Sequence, residues 1–133
     1  MCDVQNLVLS LDDKRISFLL KKILELGGNR VRFVILFGSR AEGYARDSSD
    51  VDLAVYYDGD RSERYLFLKR LLEYFDESID IHTFQDLPLV LKSKILRDGR
   101  VLYYDDFDFL FGVANRVRLE YEDFKHRLKL ILS

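Results

Sequence analysis

Several residue types are scarce in this chain of 133 residues, and each scarcity argues against a class of protein. The single cysteine, Cys2, cannot form an internal disulfide, which fits a reducing, cytoplasmic location. There is one proline and no Pro-, Gly- or Ser-rich linker, so we predict a single domain over residues 1–133. No apolar run reaches the roughly 18 residues of a membrane span, and the N-terminus lacks the pattern of a signal peptide. We therefore expect no membrane association.

An excess of charge of one sign is also lacking. The chain has 21 Lys and Arg against 23 Asp and Glu, a net charge of -2 and a pI near 5.7. Proteins that bind nucleic acid usually carry a basic excess or a basic stripe, whereas the basic residues here are interspersed with acidic ones. This argues against DNA or RNA as the main ligand. It leaves room for a nucleotide, whose charge a metal ion can neutralise.

The hydrophobic pattern predicts alternating helices and strands. Helices are expected over residues 11–26, 62–75, 87–96 and 106–131, and strands over 31–37, 50–57, 79–84 and 100–104. The segment VRFVILF at 31–37 is mostly apolar, as in a strand at the centre of a sheet. On the second helix, Tyr65, Leu68, Leu72 and Phe75 are spaced to share one face. We predict an α/β (α+β) domain with one small mixed sheet of about four strands, covered by helices.

Gly38 and Ser39 follow the central strand directly. A turn at this place can direct backbone N–H groups and a hydroxyl at a phosphate, because glycine permits close approach of the backbone. The chain contains no Walker-type GxxxxGK[ST] loop, and a Gly-Ser pair alone is a weak signal. The pair gains meaning only from the residues that accompany it.

Three aspartates on predicted strands accompany the Gly-Ser pair. Asp50 and Asp52 are two residues apart at the start of a strand, so their carboxylates share a face, and Asp80 lies between two isoleucines of another strand. Clustered carboxylates repel unless a cation relieves them, and hard oxygen ligands suit Mg²⁺. Each feature alone also fits a solvated strand position. His82, two residues after Asp80, could line the site, but a position behind the metal ligands or at the surface is the stronger expectation. Together with a phosphate turn, they fit two metal ions and in-line displacement at phosphorus.

The spacing of these residues resembles a known signature. Gly38-Ser39, ten residues, then Asp50-Val51-Asp52 match the Gly-Ser-x10-Asp-x-Asp motif of the DNA polymerase beta nucleotidyltransferase superfamily. The context FVILFGSRAEGYARDSSDVDLAVYY is similar to the minimal nucleotidyltransferases, the MNT-domain antitoxins that accompany HEPN-domain ribonuclease toxins. The resemblance extends from the first helix to PLVLKSKILRDGRVLYYDD and so covers nearly the whole chain.

The resemblance implies a nucleotidyltransferase fold and a set of roles. Gly38 and Ser39 would bind the nucleotide phosphates, and Arg40 could contact the triphosphate. Asp50, Asp52 and Asp80 would hold two Mg²⁺ ions, and Asp80 would also help to deprotonate the acceptor hydroxyl. It further implies an enzyme that transfers AMP from ATP to a tyrosine of a partner HEPN toxin and thereby blocks its ribonuclease activity.

One departure and two alternative functions accompany this interpretation. Many relatives read Gly-Ser-Arg-Ala-Arg-Gly, whereas this chain has Glu42 at the second arginine, which removes a positive charge near the phosphates. One alternative is a nucleotidyltransferase for a small hydroxyl compound of the aminoglycoside type, although such enzymes usually carry an additional substrate domain. The other is an antitoxin that masks its partner without catalysis.

The last predicted helix is unusually long for so small a domain. Its apolar residues recur in one stripe, formed by Phe107, Leu110, Phe111, Ala114, Val117, Tyr121, Phe124, Leu128 and Ile131. Twenty-six helical residues span about 39 Å, at about 1.5 Å per residue. We expect most of the stripe to belong to the core and part of it to bind a partner protein or a second copy of the chain.

Overall fold

The computed structural model describes residues 14–38 and 51–133 and contains a four-stranded mixed sheet with helices on both faces. The helices are α1 (Lys14–Gly27), α2 (Arg61–Leu72), α3 (Leu89–Asp98) and α4 (Phe107–Leu132), and the strands are β1 (Val31–Phe37), β2 (Val51–Tyr57), β3 (Ile79–Thr83) and β4 (Arg100–Tyr104). Short 3₁₀ turns cover Gly28–Arg30 and Phe84–Asp86. The predicted fold class is confirmed. The expected start of the first helix at residue 11 lies outside the described residues.

The strand order in the sheet is β3-β2-β1-β4. The pairs β1–β2 and β1–β4 are antiparallel, and β2–β3 is parallel. The parallel pair is joined through α2, since parallel neighbours need a crossover connection rather than a hairpin. Strand β1 is buried over most of its length, which explains why its sequence is almost continuously apolar.

Alternation along the strands divides the apolar side chains between two cores. Val34, Leu36 and Leu53 point to the face that α1 and α2 cover. Ile35 and Ala54 point to the opposite face, which α3 and α4 cover. The residues of the candidate site described below lie at one end of this second face.

Helix α2 begins with a capping box. The Asp60 carboxylate accepts a hydrogen bond from the Glu63 N–H at 2.8 Å, and the Glu63 carboxylate accepts one from the Asp60 N–H at 2.9 Å. The predicted core face of this helix is wrong in part, because Tyr65 and Leu72 are exposed and the buried residues are Phe67 and Leu71. Apolar residues occur all around this helix, so their spacing does not select one face.

Helix α4 matches its predicted length, but only its first half is packed. Leu110, Val113 and Val117 are buried, whereas Phe107 and Phe111 are exposed, as are Phe124 and Leu128 at 39% and 42%. The prediction that most of the stripe belongs to the core is therefore wrong at Phe107 and Phe111 and beyond Val117. The sheet supplies no surface for the rest, since the helix runs on for about 22 Å past that residue, at about 1.5 Å per residue.

No helix within residues 14–38 and 51–133 combines the length and the apolar character needed to cross a membrane.

Candidate active site

Three strand ends meet at one edge of the sheet. Because β1 is antiparallel to β2 while β3 is parallel to β2, the end of β1 lies beside the beginnings of β2 and β3. Phe37 is the register partner of Asp52, and Asp52 is the register partner of Asp80. Directly paired residues present their side chains to the same face, and neighbouring strands are about 4.8 Å apart. The two carboxylates are therefore neighbours on the face that α3 and α4 cover.

Gly38 brings the backbone against one of these carboxylates. Its φ is +79°, a conformation that side-chain-bearing residues rarely adopt. A Cβ atom at this position would also lie 2.5 Å from Asp52 Oδ2, which is too close for any real contact. Both the turn after β1 and the approach of the carboxylate thus require glycine. Gly38, predicted to bind phosphate, therefore lies directly against Asp52, a predicted metal ligand.

The second carboxylate is held by a histidine. His82 Nε2 lies 3.1 Å from Asp80 Oδ2, and the two residues share a face because they are two apart on β3. The His82 ring is also 6.1 Å from the ring of Phe37, the residue before the turn. His82 is therefore part of the site rather than a remote surface residue. Its spacing from Asp80 was the signal in the sequence.

The described carboxylates suit a magnesium ion but do not form a complete set by themselves. Among residues 14–38 and 51–133, no three His, Cys, Asp or Glu side chains are grouped closely enough to hold a metal ion. Asp52 and Asp80 provide hard oxygen donors on one face, and Mg²⁺ is commonly bound by one or two carboxylates together with substrate phosphates. The residues present fit such an ion, with the remaining ligands coming from elsewhere in the chain or from a nucleotide.

The sequence predicted six site residues, and half of them are described. Gly38, Asp52 and Asp80 lie together at the sheet edge. The other three, Ser39, Arg40 and Asp50, lie outside the described residues. In the chain, Ser39 and Arg40 are the two residues after Gly38, and Asp50 lies two residues before Asp52.

A cavity of about 210 Å³ separates the Gly38 turn from α3. Its lining residues are Phe37, Gly38, Leu91, Lys94, Ile95, Asp98 and Gly99. No motif in the sequence assigns a function to this helix. The only sign of this surface in the sequence is helical spacing. Leu91, Lys94, Ile95 and Asp98 are three or four residues apart and so lie on one side of the helix.

Two neighbouring residues of α3, Arg97 and Asp98, form an ion pair. Arg97 donates two hydrogen bonds to the two carboxylate oxygens of Asp98, each at 3.1 Å. These bonds hold the pKa of the Asp98 carboxyl below its ordinary value. Asp98 is thus ionised at neutral pH, and its charge is already compensated by a neighbour.

Comparisons with known proteins agree with this geometry. Residues 20–108 match the family described as polymerase beta, nucleotidyltransferase. A curated relative, the protein adenylyltransferase MntA of Aphanizomenon flos-aquae, is 28% identical over 107 residues, which cover 71% of each chain.

Solved structures show the same fold. A chain of a toxin–antitoxin complex with AMP-PNP matches with a TM-score of 0.67 at 23% identity, over 86% of this chain and 94% of that one. A chain of a complex between a tri-AMPylated HEPN toxin and an MNT antitoxin of Shewanella oneidensis matches with a TM-score of 0.62 at 20% identity, over 87% and 94%. The resemblance seen in the sequence is confirmed. Because the matched family segment spans more than half of the chain, this protein belongs to the polymerase beta nucleotidyltransferase family.

Proposed function

We propose that this protein transfers AMP from ATP to a tyrosine hydroxyl of a partner HEPN-domain ribonuclease toxin and thereby acts as its antitoxin. The observation that carries the proposal is the register of Asp52 and Asp80 beside the Gly38 turn. Support comes from the relative named as a protein adenylyltransferase and from the fold shared with chains of toxin–antitoxin complexes, one of which contains AMP-PNP.

The metal ligands in this proposal are Asp50, Asp52 and Asp80, with Mg²⁺ as the ion and two ions in the complete site. When bound, the metal would neutralise phosphate charge and make the acceptor hydroxyl easier to deprotonate. Gly38 and Ser39 would present backbone N–H groups and a hydroxyl to the phosphates, and Arg40 would add a positive charge. His82 would hold Asp80 in position through its contact with Oδ2.

The reaction proposed for this site is an in-line displacement. The tyrosine oxygen forms a bond to the α-phosphorus of ATP, the bond from that phosphorus to the bridging oxygen of the β-phosphate breaks, and pyrophosphate leaves. The phenolic proton passes to the Asp80 carboxylate and then to solvent. Asp80 suits this step because its side chain is 60% exposed, so that an acceptor from another molecule can reach it.

The second half of α4 is the proposed contact surface for the toxin. Phe124, Leu128 and Ile131 recur at helical spacing and are exposed, with Ile131 76% accessible. Exposed apolar residues in a continuous stripe are typical of a surface that binds another protein. The complex would therefore be a hetero-oligomer in which α4 holds the toxin while the sheet edge modifies it.

Transfer of label from ATP labelled at the α-phosphate tests the proposal. The purified protein is incubated with Mg²⁺, labelled ATP and the proposed HEPN partner, and labelled peptides are mapped by mass spectrometry. Label on a tyrosine of the partner is the expected result. Label on an aminoglycoside-type compound but not on protein would overturn the acceptor, and neutralisation of the toxin without any transfer would overturn catalysis.

A further inference from the structure

We propose that Lys94 of α3 is a nucleotide-binding residue that contacts the triphosphate of ATP from the side opposite the metal ligands. This inference rests on the proposed function and adds a residue that the nucleotidyltransferase motif does not include. It begins from the cavity between Gly38 and α3, which has Lys94 as its only basic lining residue among those that the structure describes.

The position of the cavity places Lys94 beside the phosphate turn. Gly38 and Lys94 line the same cavity, so a phosphate bound at Gly38 would border it. The carboxylate of Asp52 lies against Gly38 from the strand side. A triphosphate that extends from Asp52 past Gly38 would therefore approach α3 and the ammonium group of Lys94.

Lys94 is available for such a contact. Its side chain is exposed, and no described carboxylate lies within ion-pair distance of its ammonium group, although its charge contributes to lowering the pKa of Asp98. Asp98 lies one turn further along the helix, but its carboxylate is bound through both oxygens to Arg97. The nearest acidic lining residue is therefore already paired with another cation. The long aliphatic part of lysine also suits a cavity whose other walls include Phe37, Leu91 and Ile95.

The test compares nucleotide binding by the full chain and by three variants. Lys94→Met removes the charge and keeps an unbranched apolar stem, Lys94→Arg keeps the charge, and Lys92→Met is the matched control on the same helix. Lys92 points to the ring of Phe84, 5.8 Å from the ring centre, and does not line the cavity. Dissociation constants for ATP and for adenosine are measured by calorimetry with Mg²⁺, and thermal melts confirm that each variant is folded.

We expect Lys94→Met to weaken ATP binding about tenfold, as for loss of one charge-assisted hydrogen bond. Lys94→Arg and Lys92→Met should stay within about twofold of the wild type, and adenosine binding should be the same in all four proteins. Equal ATP affinity of Lys94→Met and the wild type would overturn this inference but not the proposed function. The inference would also fail if Lys94→Met lost as much affinity for adenosine as for ATP, or if Lys92→Met lost as much affinity for ATP as Lys94→Met. Failure of the wild type to bind ATP would overturn the proposed function as well.

Discussion

Gly38 and Asp52 lie so close together that one additional carbon atom on Gly38 would displace the Asp52 carboxylate. A Cβ at Gly38 would lie 2.5 Å from Asp52 Oδ2. The other described glycine with positive φ is Gly28, at +57°, where a Cβ would meet nothing within 4 Å. Both glycines therefore have a positive φ, but only Gly38 also has a carboxylate where a side chain would lie.

This difference gives a paired prediction. Gly28→Ala and Gly38→Ala should each lose about 1–2 kcal/mol of unfolding free energy, because alanine is disfavoured at positive φ. Only Gly38→Ala should also lose AMP transfer, since it displaces the Asp52 carboxylate. Urea denaturation gives the stabilities, and label transfer gives the activities. If Gly38→Ala were as active as Gly28→Ala, the contact between the turn and Asp52 would have no role in the reaction.

Asp86 offers a test of electrostatics away from the site. Arg64 donates two hydrogen bonds to its carboxylate, at 2.8 and 3.0 Å, and these, together with a hydrogen bond from the Thr83 hydroxyl, hold the Asp86 pKa below its ordinary value of 3.8. A carboxyl with a lowered folded-state pKa stabilises the fold at a pH above the unfolded value. That stabilisation is lost as the pH falls from 3.8 toward the lowered value.

We therefore expect Asp86→Asn to be less stable than the wild type at pH 7, and the gap in unfolding free energy to shrink at pH 3 and below. The control is Asp123→Asn, which breaks an exposed i,i+4 pair with Arg127 and should change stability by about 0.5 kcal/mol or less. Urea denaturation at both pH values measures the gaps. A gap for Asp86→Asn that stays constant with pH would contradict this account.

At the scale of elements, the sequence predicted most of the fold but not every packed face. Strand β1 was predicted with the bounds observed. Its seven residues are almost all apolar and lie between glycines, a pattern that fits a buried strand better than a helix. The core face of α2 was predicted wrongly in part: Leu68 and Phe75 pack against the core, but Tyr65 and Leu72 are exposed. Residues 65–68 are all apolar, so their spacing selects no side. Which of them is buried depends on where α1 lies, and that is a tertiary contact.

Helix α4 shows a related difficulty. An apolar stripe has the same periodicity whether it faces its own sheet or another protein, so the sequence alone could not divide the stripe at Val117. In the structure, Leu110, Val113 and Val117 pack against α3 and the sheet, whereas the residues after Glu122 are exposed. This division leads to a prediction about the two halves.

Truncation after Glu122 should separate folding from partner binding. The unfolding free energy should change by about 1 kcal/mol or less, because the removed residues bury little surface in this chain. The affinity for the HEPN partner should fall by about tenfold or more if Phe124 and Leu128 are central contacts. Denaturation and calorimetry provide the two readouts. A truncated protein that binds the partner as tightly as the full chain would show that the second half of α4 is not the contact surface.

At the scale of the whole molecule, the candidate site is a product of sheet topology. The sequence identified Asp52 and Asp80 as chemically unusual, but it did not determine that their strands are adjacent and in register. That follows from the parallel crossover through α2, which places β3 beside β2 rather than beside β4. The cavity against α3 was not predicted, because no motif marks Lys94 and only the packed fold brings it to Gly38.

The most direct measurement is label transfer to the partner by the wild type, Asp52→Asn and Asp58→Asn. Asp58 follows the last residue of β2, at the opposite end of the strand from Asp52, and is 66% exposed, so it matches the change in charge without touching the site. The account predicts a loss of at least about 100-fold in transfer rate for Asp52→Asn, a magnitude typical of removing one electrostatic group from an active site, and no loss for Asp58→Asn. Equal rates for Asp52→Asn and the wild type, on folded protein, would contradict it.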